Sequence, residues 1–154
     1  MDYVVVKWLH ILSATFLFGT GVGSAFYKYV IDRGGNIAAI AQVSVWVVRA
    51  DWLFTTPTVI FQPLSGLYLV WLLGIPIDTP WVMWSLILYA LAGACWLPVV
   101  VLQIRMRDLA LTAWQQHEEL PALYWRYARI WFWLGVPAFT MLVMVFYLMV
   151  AKPV

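Results

Sequence analysis

The chain has 154 residues, 65% of them hydrophobic and only 10% charged, with a formal net charge of +2. A soluble domain carries about 25% charged residues, so this chain lacks the polar surface to cover itself in water and belongs in a bilayer. Nucleic acid is excluded as a partner, because the basic residues mark the ends of apolar runs and form no continuous face. The single cysteine, Cys95, rules out an intramolecular disulfide and sits in an apolar run, as a small buried hydrophobe does.

A helix needs about 20 apolar residues to cross a hydrocarbon core of about 30 Å. The first such run covers residues 4–29. It makes a poor cleavable signal, since Asp2 offsets Lys7 and no A-x-A site follows, and it is expected to be retained as the first helix. The second run, residues 37–73, is broken by Arg49, Asp51, Pro57 and Pro63. It is too long for one span, yet it contains no Gly- or Asn-rich turn that would make two. Residues 37–50 are therefore read as a membrane-edge extension and 52–73 as the span, stopped by Gly74-Ile75-Pro76. Residues 81–103 and 130–150 supply the third and fourth spans. The expected fold is all-α, an integral membrane antiparallel four-helix bundle forming a single domain over residues 1–154. Helices satisfy every backbone group internally, as hydrocarbon demands.

Charge orients the bundle. Lys28, Arg33 and Arg49 lie between spans one and two, and Arg105, Arg107, Arg126 and Arg129 between spans three and four. Lys7 and Lys152 alone mark the other side. The positive-inside rule then puts both basic connections in the cytoplasm and both termini outside. Tryptophans such as Trp81, Trp84, Trp125 and Trp131 suit the aromatic belts of the two interfaces.

The residue that stands out is His10, about seven residues into the first span and so roughly 10 Å below its outer end. An ionisable side chain at that depth is expensive and points to function. Ser13, Ala14, Gly21 and Ser24 recur on its side at helical spacing, a strip that lets the helix lie against a flat macrocycle whose iron His10 would ligate. The same small residues also serve close helix packing, with His10 merely hydrogen-bonded inside the bundle. Copper binding or proton transfer are the remaining roles. Met83 and Met144 lie at matching depth and are candidates for a second axial ligand, since a thioether can stand opposite histidine. A five-coordinate iron, or one His10 from each of two copies, would also serve.

Arg49, Arg126 and Arg129 gather with Asp51 at the cytoplasmic ends of spans two and four. They suit an anionic ligand, a headgroup or a partner protein, and they also orient the chain. Arg49 and Asp51 are too close in sequence to pair on one helix face. Pro57, Pro63, Pro98 and Pro137 fall inside spans, where each removes a backbone donor. His117, beside Glu118 and Glu119, is expected in a solvated cytoplasmic loop. Gly19-Thr20-Gly21-Val22-Gly23 is no nucleotide loop, because no strand precedes it.

The segments WLHILSATFLFGTG, DWLFTTPTVIFQPLSGLYLVW, GACWLPVVVLQIRMRDLA and LMVAKP resemble a bacterial family of small integral membrane proteins of unknown function. More distantly, the chain is similar to HemJ-type protoporphyrinogen oxidases and CopD-type copper-resistance proteins. The shared features are His10 in span one, Thr56-Pro57 after Arg49, and the terminal Lys152-Pro153. The HemJ resemblance implies haem b held by His10. Where HemJ-type proteins carry a lysine early in span three and an acid before the span-four Val-Pro, this chain has Ser85 and Gly135. No Met/His cluster suited to copper is visible.

The function expected from these features is that of a haem-b-binding component of the bacterial inner membrane. It would be an oxidoreductase or electron carrier working between quinone and a redox partner protein, either alone or as a homo-oligomer. Two readings from other classes stand beside it: a non-catalytic membrane subunit or assembly factor without cofactor, and a metal or small-solute transporter. The latter is disfavoured by the scarcity of strongly polar groups near the bilayer centre.

Overall fold

The computed structural model describes residues 2–153, and these contain helices and turns but no strand. Helix α1 spans Asp2–Gly34, α2 Ile37–Ala50, α3 Thr56–Leu72, α4 Pro80–Gln116 and α5 Ala122–Ala151. A π-helical turn, Asp51–Thr55, joins α2 to α3. Together they make one rod, so four helices are long and apolar enough to cross a membrane. The all-α four-helix membrane fold expected from the sequence is the fold observed.

The turns are cut by local chemistry. Gly35 takes the left-handed conformation at φ +69°, and Asn36 then caps α2 by accepting the Ala39 N–H through its side chain at 3.1 Å. Gly74 at φ +64° ends the α3 rod, and Pro80 opens α4 at a position where its missing N–H costs nothing. His117, at φ 56°, terminates α4. The resulting antiparallel bundle has a terminal end, where α1 begins and α5 finishes, and a basic end, which holds the turns at 35–36 and 117–121.

Two boundaries differ from the sequence reading. Residues 37–50 are no separate extension, because the π-turn carries the helix through Pro57. Pro57 has no N–H to donate, and the Thr56 N–H reaches back five residues to the Asp51 carbonyl, so the rod continues as a wider turn. Residues 104–129 are helical apart from 117–121. Met106, Ala110 and Ala113 are all buried, at helical spacing, while the neighbouring Arg105 and Asp108 stay exposed. Charge in that segment decorates one side of a helix and does not end it.

Helix α1 packs on α2 and α3, α4 packs on α5, and α2 lies against α4. The close-packed core sits toward the basic end, where Ile40 and Ala41 meet Val99, Leu102, Met106 and Tyr124. Beyond it the two hairpins touch through few side chains. Phe18 meets Phe139 at a tilt and Phe146 edge to face, with ring centroids 5.1 and 5.4 Å apart, and the Tyr89 hydroxyl donates to the Val59 carbonyl at 2.8 Å. The outer surface is apolar, with Trp8, Leu53, Leu64, Leu97 and Tyr147 all exposed, which suits lipid and would fail in water.

At the basic end a polar network ties three helices. Lys28, 1% exposed, donates to both Asp32 carboxylate oxygens at 3.2 Å, to the Tyr124 hydroxyl at 2.8 Å and to Ser44 at 3.4 Å. The Tyr124 hydroxyl in turn donates to Asp32 at 2.7 Å. Lys28 is therefore no loop charge. It is the buried hub of α1, α2 and α5, with all its partners supplied by the protein.

Candidate functional site

His10 lies on the buried face of α1 against α3. Its Nδ1 is 2.7 Å from Ser65 Oγ, and that hydroxyl already donates to the Phe61 carbonyl at 2.7 Å. While Ser65 donates there it can only accept from His10, and in that tautomer the proton sits on Nδ1 and the Nε2 lone pair is free. Nε2 has no hydrogen-bond partner among the described residues, and it is not among the atoms sealed from the surface. Glycine at 66 makes room for the ring, since a Cβ there would stand 3.3 Å from His10 Cε1. Ser13 and Gln62 lie nearby on the two facing helices, each buried with an unpartnered side-chain oxygen.

Met83 and Met144 are exposed side chains of α4 and α5, whereas the atoms placed against His10 belong to Ser65 and Gly66 of α3. No group of three or more His, Cys, Asp or Glu suited to a metal ion occurs among the described residues. Arg49 is exposed and stacks on Trp46 at 4.9 Å, and Arg126 and Arg129 are exposed on α5. His117 is exposed at the turn. From His10 to Lys28 is 18 residues of one helix, so the histidine and the arginine-bearing end are about 27 Å apart.

A second feature has no counterpart in the sequence reading. Between the two hairpins, where the helices splay past the core, lies a cavity of ≈ 460 Å³. Its walls include Phe18, Val59, Trp96, Val99, Phe132 and Phe139. Gly21, Gly93 and Gly135 also face it, and a Cβ added at any of the three would meet open space. Toward the basic end the lining turns polar with Asp51, Thr55, Gln103 and Trp131. The π-turn brings Asp51 and Thr55 to the inside of the rod, where Thr55 donates to Asp51 Oδ1 at 2.9 Å. Arg49, two residues earlier, faces out, as the helical spacing requires.

Three atoms in this lining have no partner: Asp51 Oδ2, Gln103 Oε1 and the Trp131 Nε1–H. A buried polar group left unpaired costs on the order of 1–3 kcal/mol. Their residues are 5%, 6% and 7% exposed, so external solvent does not pair them. His10 is absent from the lining and stands one to two turns beyond its upper edge at Leu17. The molecule therefore holds two separate polar features, a histidine between α1 and α3 and a cavity between the hairpins.

No curated protein and no solved structure matches the chain. Residues 4–153 match the family described as "Predicted integral membrane protein (DUF2269)". With its four long apolar helices, the chain is a multi-pass integral membrane protein and belongs to that family.

Proposed function

We propose that the protein is a haem-b-binding membrane component, with His10 as the iron ligand through Nε2. The observation that carries this reading is the hydrogen bond between His10 Nδ1 and Ser65. A metal-binding imidazole is usually held by a hydrogen bond from its other nitrogen, and Ser65, itself anchored on the Phe61 carbonyl, supplies that hold. Bound haem would supply one-electron redox chemistry, suited to passing electrons between quinone and a partner protein. Met83 and Met144 are exposed on other helices, so His10 is the residue of this chain that would hold the haem. Lys7, exposed one turn above His10, is placed to meet a propionate.

The resemblance to HemJ-type oxidases read from the sequence finds no support among curated proteins, and the residues here depart from the oxidase pattern. Ser85 is buried and spends its hydroxyl on the Trp81 carbonyl at 2.6 Å, and Gly135 brings no acid to the cavity wall. The arginines stand at the opposite end from His10, where they serve a partner or an anionic ligand. We place the protein in the bacterial inner membrane with its basic end in the cytoplasm. Cysteines introduced at positions 78 and 117 should label from outside and from the cytoplasm respectively.

The absorption spectrum of protein purified from haem-replete cells tests the function. A Soret band that disappears or shifts in His10→Ala, and persists in Arg49→Gln, is the expected result. A colourless wild type, or a band indifferent to His10→Ala, would sink the haem assignment. His10 would then be a helix-tying residue of a cofactor-free subunit.

A further inference from the structure

We infer that the cavity between the hairpins is a binding site for a membrane-soluble molecule bearing a hydroxyl at one end, read by Asp51, Gln103 and Trp131. It is separate from His10 and does not rest on haem. The cavity is closed at its basic end by the Val99–Leu102–Met106 core and walled elsewhere by aromatic and aliphatic side chains. Along α4 its lining runs from Tyr89 to Gln103, about 21 Å at 1.5 Å per residue. An elongated apolar body fits that shape, and a charged or sugar-bearing solute finds nothing to pair with over most of its length.

The polar end sets the head group. The Gln103 amide stands beside the Asp51 carboxylate, and no donor is in hydrogen-bond geometry for Asp51 Oδ2 or Gln103 Oε1 and no acceptor for the Trp131 Nε1–H. A hydroxyl answers both kinds of need at once, donating its one hydrogen to one of the two oxygens and accepting from the indole N–H. A ketone or ether would leave the two oxygens unpaired, and an ammonium would leave the indole N–H unpaired. The π-turn is the second, independent sign. Such turns recur at functional sites, and this one brings Asp51 and Thr55 into the cavity's polar end. Phenolic and aliphatic lipids share this chemistry, as a quinol ring or a long-chain alcohol.

The test uses the full chain in lipid nanodiscs and three probes: a decyl-chain benzoquinol, n-decanol, and the dimethyl ether of the same quinol. Binding is read from the concentration-dependent rise in unfolding temperature. One or both hydroxyl probes should stabilise the protein, and which of them binds tells a phenolic from an aliphatic ligand. The dimethyl ether, with the same tail and ring, should bind at least about tenfold more weakly. Trp131→Phe keeps the ring and removes only the N–H, and Asp51→Asn keeps the shape. Each should weaken the hydroxyl probe about tenfold while the helical circular dichroism stays that of the wild type. His10→Ala should bind like the wild type, which keeps this site distinct from the haem proposal. Equal binding of all three probes, no binding of either hydroxyl probe, or wild-type affinity in both Trp131→Phe and Asp51→Asn would overturn the assignment.

Discussion

The network around Lys28 and the polar end of the cavity are both buried inside the same helices, yet they are built on opposite terms. At the basic end Lys28, Asp32, Ser44 and Tyr124 satisfy one another across α1, α2 and α5. About two helical turns toward the terminal end, Asp51, Gln103 and Trp131 face a common space with an unpaired atom each. A complete network has nothing left to offer a ligand and fixes how helices meet. An incomplete one is poorly explained as a stabilising device, because it spends free energy that a ligand could return. Buried polarity in this protein thus divides into a clamp and a receptor, and the partner count of each atom separates them.

Mutations should separate them too. Lys28→Met strips the hub from Asp32 and leaves a buried carboxylate without its cation, at a cost of about 3–5 kcal/mol. Reversible unfolding in nanodiscs should record a large loss, much of it recovered when Asp32→Asn is added. Tyr124→Phe keeps the ring against the core and deletes two bonds to charged groups, which should cost about 1.5–3 kcal/mol. If either variant were as stable as the wild type, the clamp would have no mechanical role.

The His10–Ser65 pair should fall below these. Interhelical hydrogen bonds in membranes average about 0.6 kcal/mol and reach about 1.7, so Ser65→Ala should destabilise within that range. It should also free the imidazole, and in haem-loaded protein the Soret position should move while the band remains. The smallest effect, and opposite in sign, belongs to the cavity. Gln103→Met exchanges an unpaired amide oxygen for a thioether of similar size, and ligand-free stability should stay level or rise by up to about 1 kcal/mol. A loss of several kcal/mol there would mean that the cavity residues are structural after all.

Much of this was legible in the sequence, and particular residues show where it stopped being so. Four apolar runs gave four helices because hydrocarbon leaves the backbone few other choices. His10 announced itself because its neighbours are apolar. The helical stretch after Gln103 was also written in the spacing of Met106, Ala110 and Ala113, but Arg105, Arg107 and Asp108 drew attention to charge over periodicity. Lys28 and Asp32 stand four apart, the spacing of a helical ion pair, but only Lys28 enters the sequence reading, and there as a loop charge. Tyr124, 96 residues from Lys28, and Ser65, 55 residues from His10, could not be paired in advance. No local pattern encodes which helices face each other. The unpaired atoms of the cavity are harder still, since being without a partner is a property of the whole packed molecule. Asp51 reads in the sequence as one more interface charge near Arg49, and that it lines a cavity follows only from the packed helices.

The length of the helices carries a consequence of another kind. Helix α4 has 37 residues, about 55 Å, against a hydrocarbon core of about 30 Å. Were Trp81 to lie at one interface, the last turns of α4 would stand clear of the lipid as a short stalk. A bundle so built has no fixed hydrophobic height to match. A membrane a few Å thicker or thinner would cover or uncover part of the stalk, at a fraction of a kcal/mol per Å. The protein should accordingly tolerate bilayers of differing acyl length, and its exposed Arg126 and Arg129 would ride at whatever level the lipid surface sets.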